Sequence, residues 1–277
     1  MKFRQFLYYF LIVLLLIVFI GSGIKVGSYF IDAKQQKDEY NQLAELVAQA
    51  KKDPVVPSVP ANDPASSPDP TGPTEPPIPT EPTILPEYVP VYEENSDLVG
   101  WLYIEDTPIN YPVMQTPDRP NYYLKRNFKG ERNAHGCLYA RETCDINRPS
   151  DNITIYGHHM KNGSMFASLD KFLKKSYWEI NHTITFDTLY EHHTYTIFAV
   201  FTTSANSDGF PYHQFEDAAT AEEFDDFVAK CKSLAFYDTG ITPQYGDKLI
   251  CLSTCEYTHS NGRLVVVAVR DPEGPSF

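Results

Sequence analysis

With 277 residues, 42% of them hydrophobic and including 17 Phe and 19 Tyr, the chain is long enough to bury one medium domain or two small ones. Its formal charge of −13 leaves no basic stripe to neutralise phosphates, which argues against a nucleic-acid partner.

Lys2 and Arg4 precede an unbroken apolar run from Phe6 to Ile20, which Gly21–Ile24 extends before Lys25. A membrane-spanning helix needs roughly 17–25 mostly apolar residues, and the stretch from Phe6 to Ile24 meets that length. A cleaved signal peptide is the rival reading, with an apolar core of about 7–15 residues ending at small residues. Gly21-Ser-Gly23 would suit cleavage, but this core is at the long end, so residues 1–25 are read as an uncleaved signal anchor. Lys2 and Arg4 favour a cytoplasmic N-terminus, opposed in part by Lys25, Lys34 and Lys37. On either reading the rest of the chain is expected outside the cytoplasm.

Residues 26–52 carry Leu43, Leu46, Val47 and Ala50 at helical spacing and read as a short juxtamembrane helix or a spacer. From Asp53 to Pro90 the chain holds 13 of its 22 prolines among Ser, Thr, Asp and Glu. Such a composition buries too little apolar surface to fold and favours extended geometry, so it reads as a stalk. The folded domain is expected over 91–277.

Six β-rich runs follow, namely 98–104, 109–114, 136–139, 152–156, 183–186 and 194–201, and two more lie at 248–252 and 264–270. Helices are expected at Ser164–Leu173 and Ala218–Leu234, the latter with Phe224, Phe227, Val228 and Cys231 on one face. Many strands and few helices point to a mainly β barrel or sandwich with helical insertions.

The five cysteines are an odd number, and in an exported chain an odd cysteine pairs between molecules or is a reactive thiol. A thiol nucleophile needs a proton-transfer partner and a group that stabilises the developing oxyanion. Cys255 ends one strand, and Arg263 begins the next after the turn Ser260-Asn-Gly262, so sulfur and guanidinium can converge across the hairpin. Arginine cannot act as a base, but it stabilises negative charge on a carbonyl oxygen. Cys251, deeper in the strand, reads as a buried inert thiol. Whether Cys137 and Cys144 bridge is open.

Of the eight histidines, His192 and His193 follow an acidic turn and read as solvated, while His259 lies in the Cys–Arg loop as a local rival. Tyr156-Gly-His-His-Met160 differs, because a strand ends in Gly and releases two histidines into a loop.

The run Tyr156-Gly-His-His-Met-Lys-Asn-Gly-Ser-Met-Phe166, followed about a hundred residues later by Leu252-Ser-Thr-Cys255 and then Arg263, resembles the sortase family, class B most closely. Where the common form reads Thr-Leu-Ser-Thr-Cys, Cys251 precedes Leu252 here. Ile109–Met114, Asn121–Gly130 and Lys175–Trp178 share the likeness, which covers Val91 to Arg270. The long insertion before the Cys-bearing strand is also similar to class B, whereas class A members have a shorter connection.

The resemblance implies an eight-stranded β-barrel with peripheral helices, one of them in that insertion. It implies Cys255 as nucleophile, His158 as catalytic histidine in preference to His159, and Arg263 as oxyanion or substrate-orienting group. Ser253, Thr254, Glu256 and Tyr212 are carried over as substrate-binding residues. The implied partners are exported proteins bearing a sorting signal and, as amine acceptor, a peptidoglycan precursor or a pilin lysine. No metal or other cofactor is expected.

Two other enzyme classes fit less well. L,D-transpeptidases have Arg two residues after Cys, and papain-like peptidases place Cys before His. A stalked, non-catalytic surface-binding domain is the alternative outside enzymes.

Overall fold

The computed structural model describes residues 2–52, 83–256 and 261–272. Among these, eight strands close into a barrel: β1 (Leu98–Tyr103), β2 (Asn110–Met114), β3 (Leu138–Ala140), β4 (Asn152–Tyr156), β5 (Thr183–Thr188), β6 (Thr194–Ser204), β7 (Leu249–Glu256) and β8 (Gly262–Arg270). Their order around the barrel is β1-β2-β3-β4-β7-β8-β6-β5. The β2–β3 and β4–β7 pairs are parallel and the rest antiparallel. Each expected strand is present.

Strand alternation divides the core in two. Ile250 and Leu252 of β7 and Leu264, Val266 and Ala268 of β8 point into the barrel. Their neighbours Leu249, Cys251, Val265 and Val267 point outward, beneath the long β6–β7 insertion. Strands buried on both faces read as continuous apolar runs, which explains the sequence LVVVAV in β8.

Among the described residues four α-helices lie outside the barrel: α1 (Lys2–Lys52), α2 (Val89–Glu94), α3 (Lys175–Trp178) and α4 (Ala221–Leu234). Helix α4 covers the outer cluster with Phe224, Phe227, Val228 and Cys231. It starts three residues later than the apolar pattern suggests because Thr220 is extended and its Oγ1 accepts from Glu223 N at 3.3 Å. Glu223 in turn accepts from Ala219 N at 2.8 Å, so two N-terminal donors are satisfied by side chains. The helix expected from Ser164 is instead a 3-10 helix, Phe166–Leu173. Its buried Phe166, Leu169 and Phe172 recur every third residue, which suits three residues per turn.

Helix α1 runs without a break from the apolar N-terminal segment onto the barrel. Positions 29, 33, 36, 40, 43, 47 and 50, each buried or half-buried, alternate spacings of four and three and form one stripe of an α-helix, flanked by half-buried 39, 44 and 46. The Pro-rich residues 53–82 lie outside the described residues. The chain that follows is not stalk. Leu85 N donates to Leu189 O at 2.7 Å, and buried Tyr88 donates to Asp187 Oδ2 at 2.5 Å. Lys51 also lies 3.8 Å from Glu87, so α1 ends where the 83–90 segment begins its packing. Docking against the barrel therefore starts before Val91, because Ile84, Leu85 and Tyr88 supply apolar surface between the prolines.

Candidate active site

Register places the three chemically interesting residues side by side. Cys255 on β7 is paired with Arg263 on β8. On the other flank β4 runs parallel to β7, with Tyr156 opposite Ser253. Gly157 continues that ladder by donating to Ser253 O at 3.1 Å, so His158 leaves β4 level with Cys255. Imidazole, thiol and guanidinium thus come from three adjacent strand ends and line one cleft of about 640 Å³.

Gly157 is required by space. A Cβ there would stand 2.5 Å from Leu138 Cδ2 and 2.6 Å from Phe166 Cδ2. The two histidines of the pair diverge. His158 Nε2 donates to Leu124 O at 2.7 Å, and since a carbonyl only accepts, Nε2 carries the proton. His159 Nε2 instead meets Asp170 Oδ2 at 2.7 Å, outside the cleft lining. Arg263 is half-buried and lines the cleft, and its Nη1 donates to Gly262 O at 3.0 Å.

Ser253, Thr254 and Tyr212 all border the cleft. Ser253 and Tyr212 are buried in its floor and bonded to each other, Oγ to phenolic oxygen at 2.6 Å. Thr254 Oγ1 is buried with no partner among the described residues. Glu256 pairs with Gly262 at the end of β7, and its side chain, like residues 257–260 with His259, lies outside the described residues.

Burial sets the protonation of the walls. It pushes the Tyr212 phenol up to about 12 and raises Tyr139 and Tyr156 further, so all three are neutral at pH 7. Burial, then the cations Arg141 and Arg263, lowers the pKa of His213 in the same wall. Cys251 is fully buried, and loss of solvent raises its thiol far above the usual range. Cys137 and Cys144 are both free and buried. Cys137 faces Tyr40 Oη at 3.1 Å and Cys144 faces Asn152 O at 3.6 Å, so they do not bridge. One expectation for histidine changes here. His193 is buried beside Glu191, whereas His192 is exposed as expected and its ring meets Glu87 and Asp187 at 3.2 and 2.9 Å.

The family model for the sortase domain matches residues 102–271. Sortase B of Listeria monocytogenes is 31% identical over 269 residues, covering 96% of this chain and 97% of the relative. The chain belongs to the sortase family. Among solved structures, sortase B from B. anthracis in complex with AAEK1 superposes with a TM-score of 0.68 at 28% identity, covering 88% of this chain and all of that one. A Staphylococcus aureus sortase B–substrate complex has the same fold, with a TM-score of 0.70 at 23% identity over 87% of this chain and 98% of that one. This sortase is a class B cysteine transpeptidase.

Several cleft residues of the sortase carry no sequence signal of their own. Asn121 and Leu124 reach the cleft from a 3-10 turn and its N-cap, His213 from a second 3-10 turn and Tyr139 from β3, far from the Cys and His motifs in sequence. Tyr139 Oη donates to Asn121 Oδ1 at 3.0 Å and its ring lies 5.3 Å from that of Tyr156. Asn121–Gly130 figured in the family likeness but not as a site. In the cleft it supplies Asn121, which accepts from Tyr139, and Leu124 O, which accepts from the ring of His158.

Proposed function

We propose that this class B sortase cleaves a C-terminal sorting signal of exported proteins and joins them to an amine, with Cys255 as nucleophile, His158 as acid and base, and Arg263 as oxyanion stabiliser. The observation that carries this reading is the delivery of thiol, imidazole and guanidinium into one cleft by three neighbouring strand ends. A thiolate at Cys255 attacks the carbonyl carbon of the scissile peptide bond, and the carbonyl electrons move to oxygen beside Arg263. When the tetrahedral species collapses to a thioester, the C–N bond breaks and the leaving amine takes a proton from His158. With Nε2–H held by Leu124 O, that proton is carried on Nδ1. The now neutral ring accepts a proton from the incoming amine as it attacks the thioester, and the thiolate leaves.

The acceptor is an amine of a peptidoglycan precursor or a pilin lysine. The S. aureus relative was solved with its substrate, which supports a peptide in the corresponding cleft. The apolar stretch of α1 has a mean hydropathy of 2.6 over its most apolar window and none of that window is buried, which suits a single membrane span. In this reading the N-terminus is cytoplasmic and the barrel acts on the outer face of a Gram-positive membrane. Ser253, Thr254, Glu256 and Tyr212 shape the peptide groove.

The test is a library of C-terminal sorting-signal peptides, incubated with and without triglycine or a lysine peptide, with products identified by mass. Cys255→Ala and His158→Ala abolish cleavage and Cys251→Ala retains it. Arg263→Lys loses roughly 10²–10³-fold in kcat, since an ammonium does not reproduce the planar fork. Normal cleavage by Cys255→Ala would falsify the assignment and favour a non-catalytic surface domain.

A further inference from the structure

The membrane-proximal helix touches the catalytic cleft from behind. Two residues of α1 converge on one carbonyl of the barrel wall: Gln36 Nε2 donates to Gly136 O at 2.6 Å, and Tyr40 Oη donates to the same oxygen at 3.0 Å. Gln36 Nε2 also meets Tyr40 Oη at 2.9 Å, so the pair is self-braced, and both side chains are buried. Closer to the N-terminus of the helix, Tyr29 stacks on His135, ring centroids 5.8 Å apart and 24° from parallel. The helix thereby grips three consecutive residues, since Tyr40 Oη also lies 3.1 Å from Cys137 Sγ.

The far side of that tripeptide bears on the ring of His158. Gly136 has φ +62, and a Cβ built on it would be 2.6 Å from Leu124 O and 2.8 Å from Tyr123 O. Its backbone is therefore packed directly against these carbonyls, and Cys137 N donates to Tyr123 O at 3.0 Å. Leu124 O is the acceptor for His158 Nε2 at 2.7 Å, and among the described residues this is the ring's one hydrogen bond. Close-packed interiors transmit displacement, so a shift of Gly136 moves the Leu124 carbonyl and with it the imidazole.

We propose that Gln36 and Tyr40 are positioning residues for His158, acting through Gly136 and the Leu124 carbonyl, so that the seating of the membrane-proximal helix tunes catalysis. This rests on His158 being the proton carrier. Outer-shell partners of a catalytic histidine fix its tautomer and ring angle, and sub-ångström errors in such geometry slow reaction without unfolding the protein. Because the same helix continues into the apolar N-terminal segment, the clamp links the anchor to the chemistry.

The experiment uses the full chain in detergent micelles, labelled with 15N-histidine, and the most rapidly cleaved peptide of the library above. Gln36→Met and Tyr40→Phe keep size, and the phenyl ring left by Tyr40→Phe retains the contact with Tyr111, 4.9 Å between centroids, so the helix remains docked. The double variant is expected to lose roughly ten- to a hundredfold in kcat with KM within about twofold. Its His158 ring 15N resonances are expected to move toward the tautomer average, and Glu45→Ala, exposed on the same helix, should match the parent. Parental kcat and parental His158 resonances in the double variant would overturn the proposal, as would an equal loss in Glu45→Ala. If His158→Ala cleaves normally, it is the assignment of His158 itself that fails.

Discussion

At Gly157 the absence of one carbon determines where the imidazole stands. The Cβ of Gly157→Ala would press on Leu138 and on the ring of Phe166, both fully buried, so the strand end has to back away. Overpacking of this kind costs about 1–3 kcal/mol. The expected result is a lower midpoint in thermal melts together with a loss of kcat larger than the stability change explains, because His158 is displaced from Cys255. A variant that melts lower but turns over at the parental rate would show that the imidazole tolerates the shift. Cys255 and Arg263 stood out in the sequence because turn residues mark their strand ends, whereas His158 was separated from His159 only by the family resemblance; the fold brings all three to one cleft. Tyr139, Leu124 and Asn121 were not legible, since nothing local distinguishes a tyrosine facing a cleft from one facing a core. His193 misled for a related reason: an acidic, polar run predicts solvent, yet the register of β5 against β6 turns its ring inward beside Tyr195.

Among the elements, α4 is the best test of local coding. Its apolar face, its capping threonine and the acidic first turn with Glu222 and Glu223 all favour a helix in the same place. Thr220→Ala removes the acceptor for Glu223 N and is expected to destabilise the domain by about 0.5–2 kcal/mol, read from a denaturant midpoint at unchanged slope. Cleavage should be preserved, as α4 packs on the outer cluster and lends no residue to the cleft lining. The strands were legible because β-branched and aromatic residues cluster between turn signals. The 3-10 helix was read as α because a three-residue apolar repeat fits either helix over so short a stretch. The stripe of α1 was only half visible. Leu43, Val47 and Ala50 carry it in apolar residues, but Gln36 is polar and is buried by pairing with Tyr40 and Gly136, which only the fold supplies.

At the scale of the whole molecule, α1 packs directly on the barrel and buries Tyr40, Leu43 and Val47 there, and Ile84, Leu85 and Tyr88 pack there too, after the proline-rich residues that lie outside the described ones. Removing the half-exposed Lys51 ammonium should have little effect, since such an ion pair contributes less than about 1 kcal/mol. The distribution of sulfur has a wider consequence. Cys137, Cys144, Cys231 and Cys251 are buried, and burial pushes all four thiols upward, to about 12 for Cys137 and about 11 for Cys144. Cys255 is the one cysteine with appreciable exposure. Native protein treated briefly with iodoacetamide should therefore gain a single carbamidomethyl group, on Cys255, and denatured protein five. A second adduct on folded protein would show that an interior thiol opens to solvent. The wild-type chain thus arrives as its own single-site conjugation reagent: a fluorophore, an electrophilic peptide or a spin label can be mounted in the cleft without any engineered cysteine.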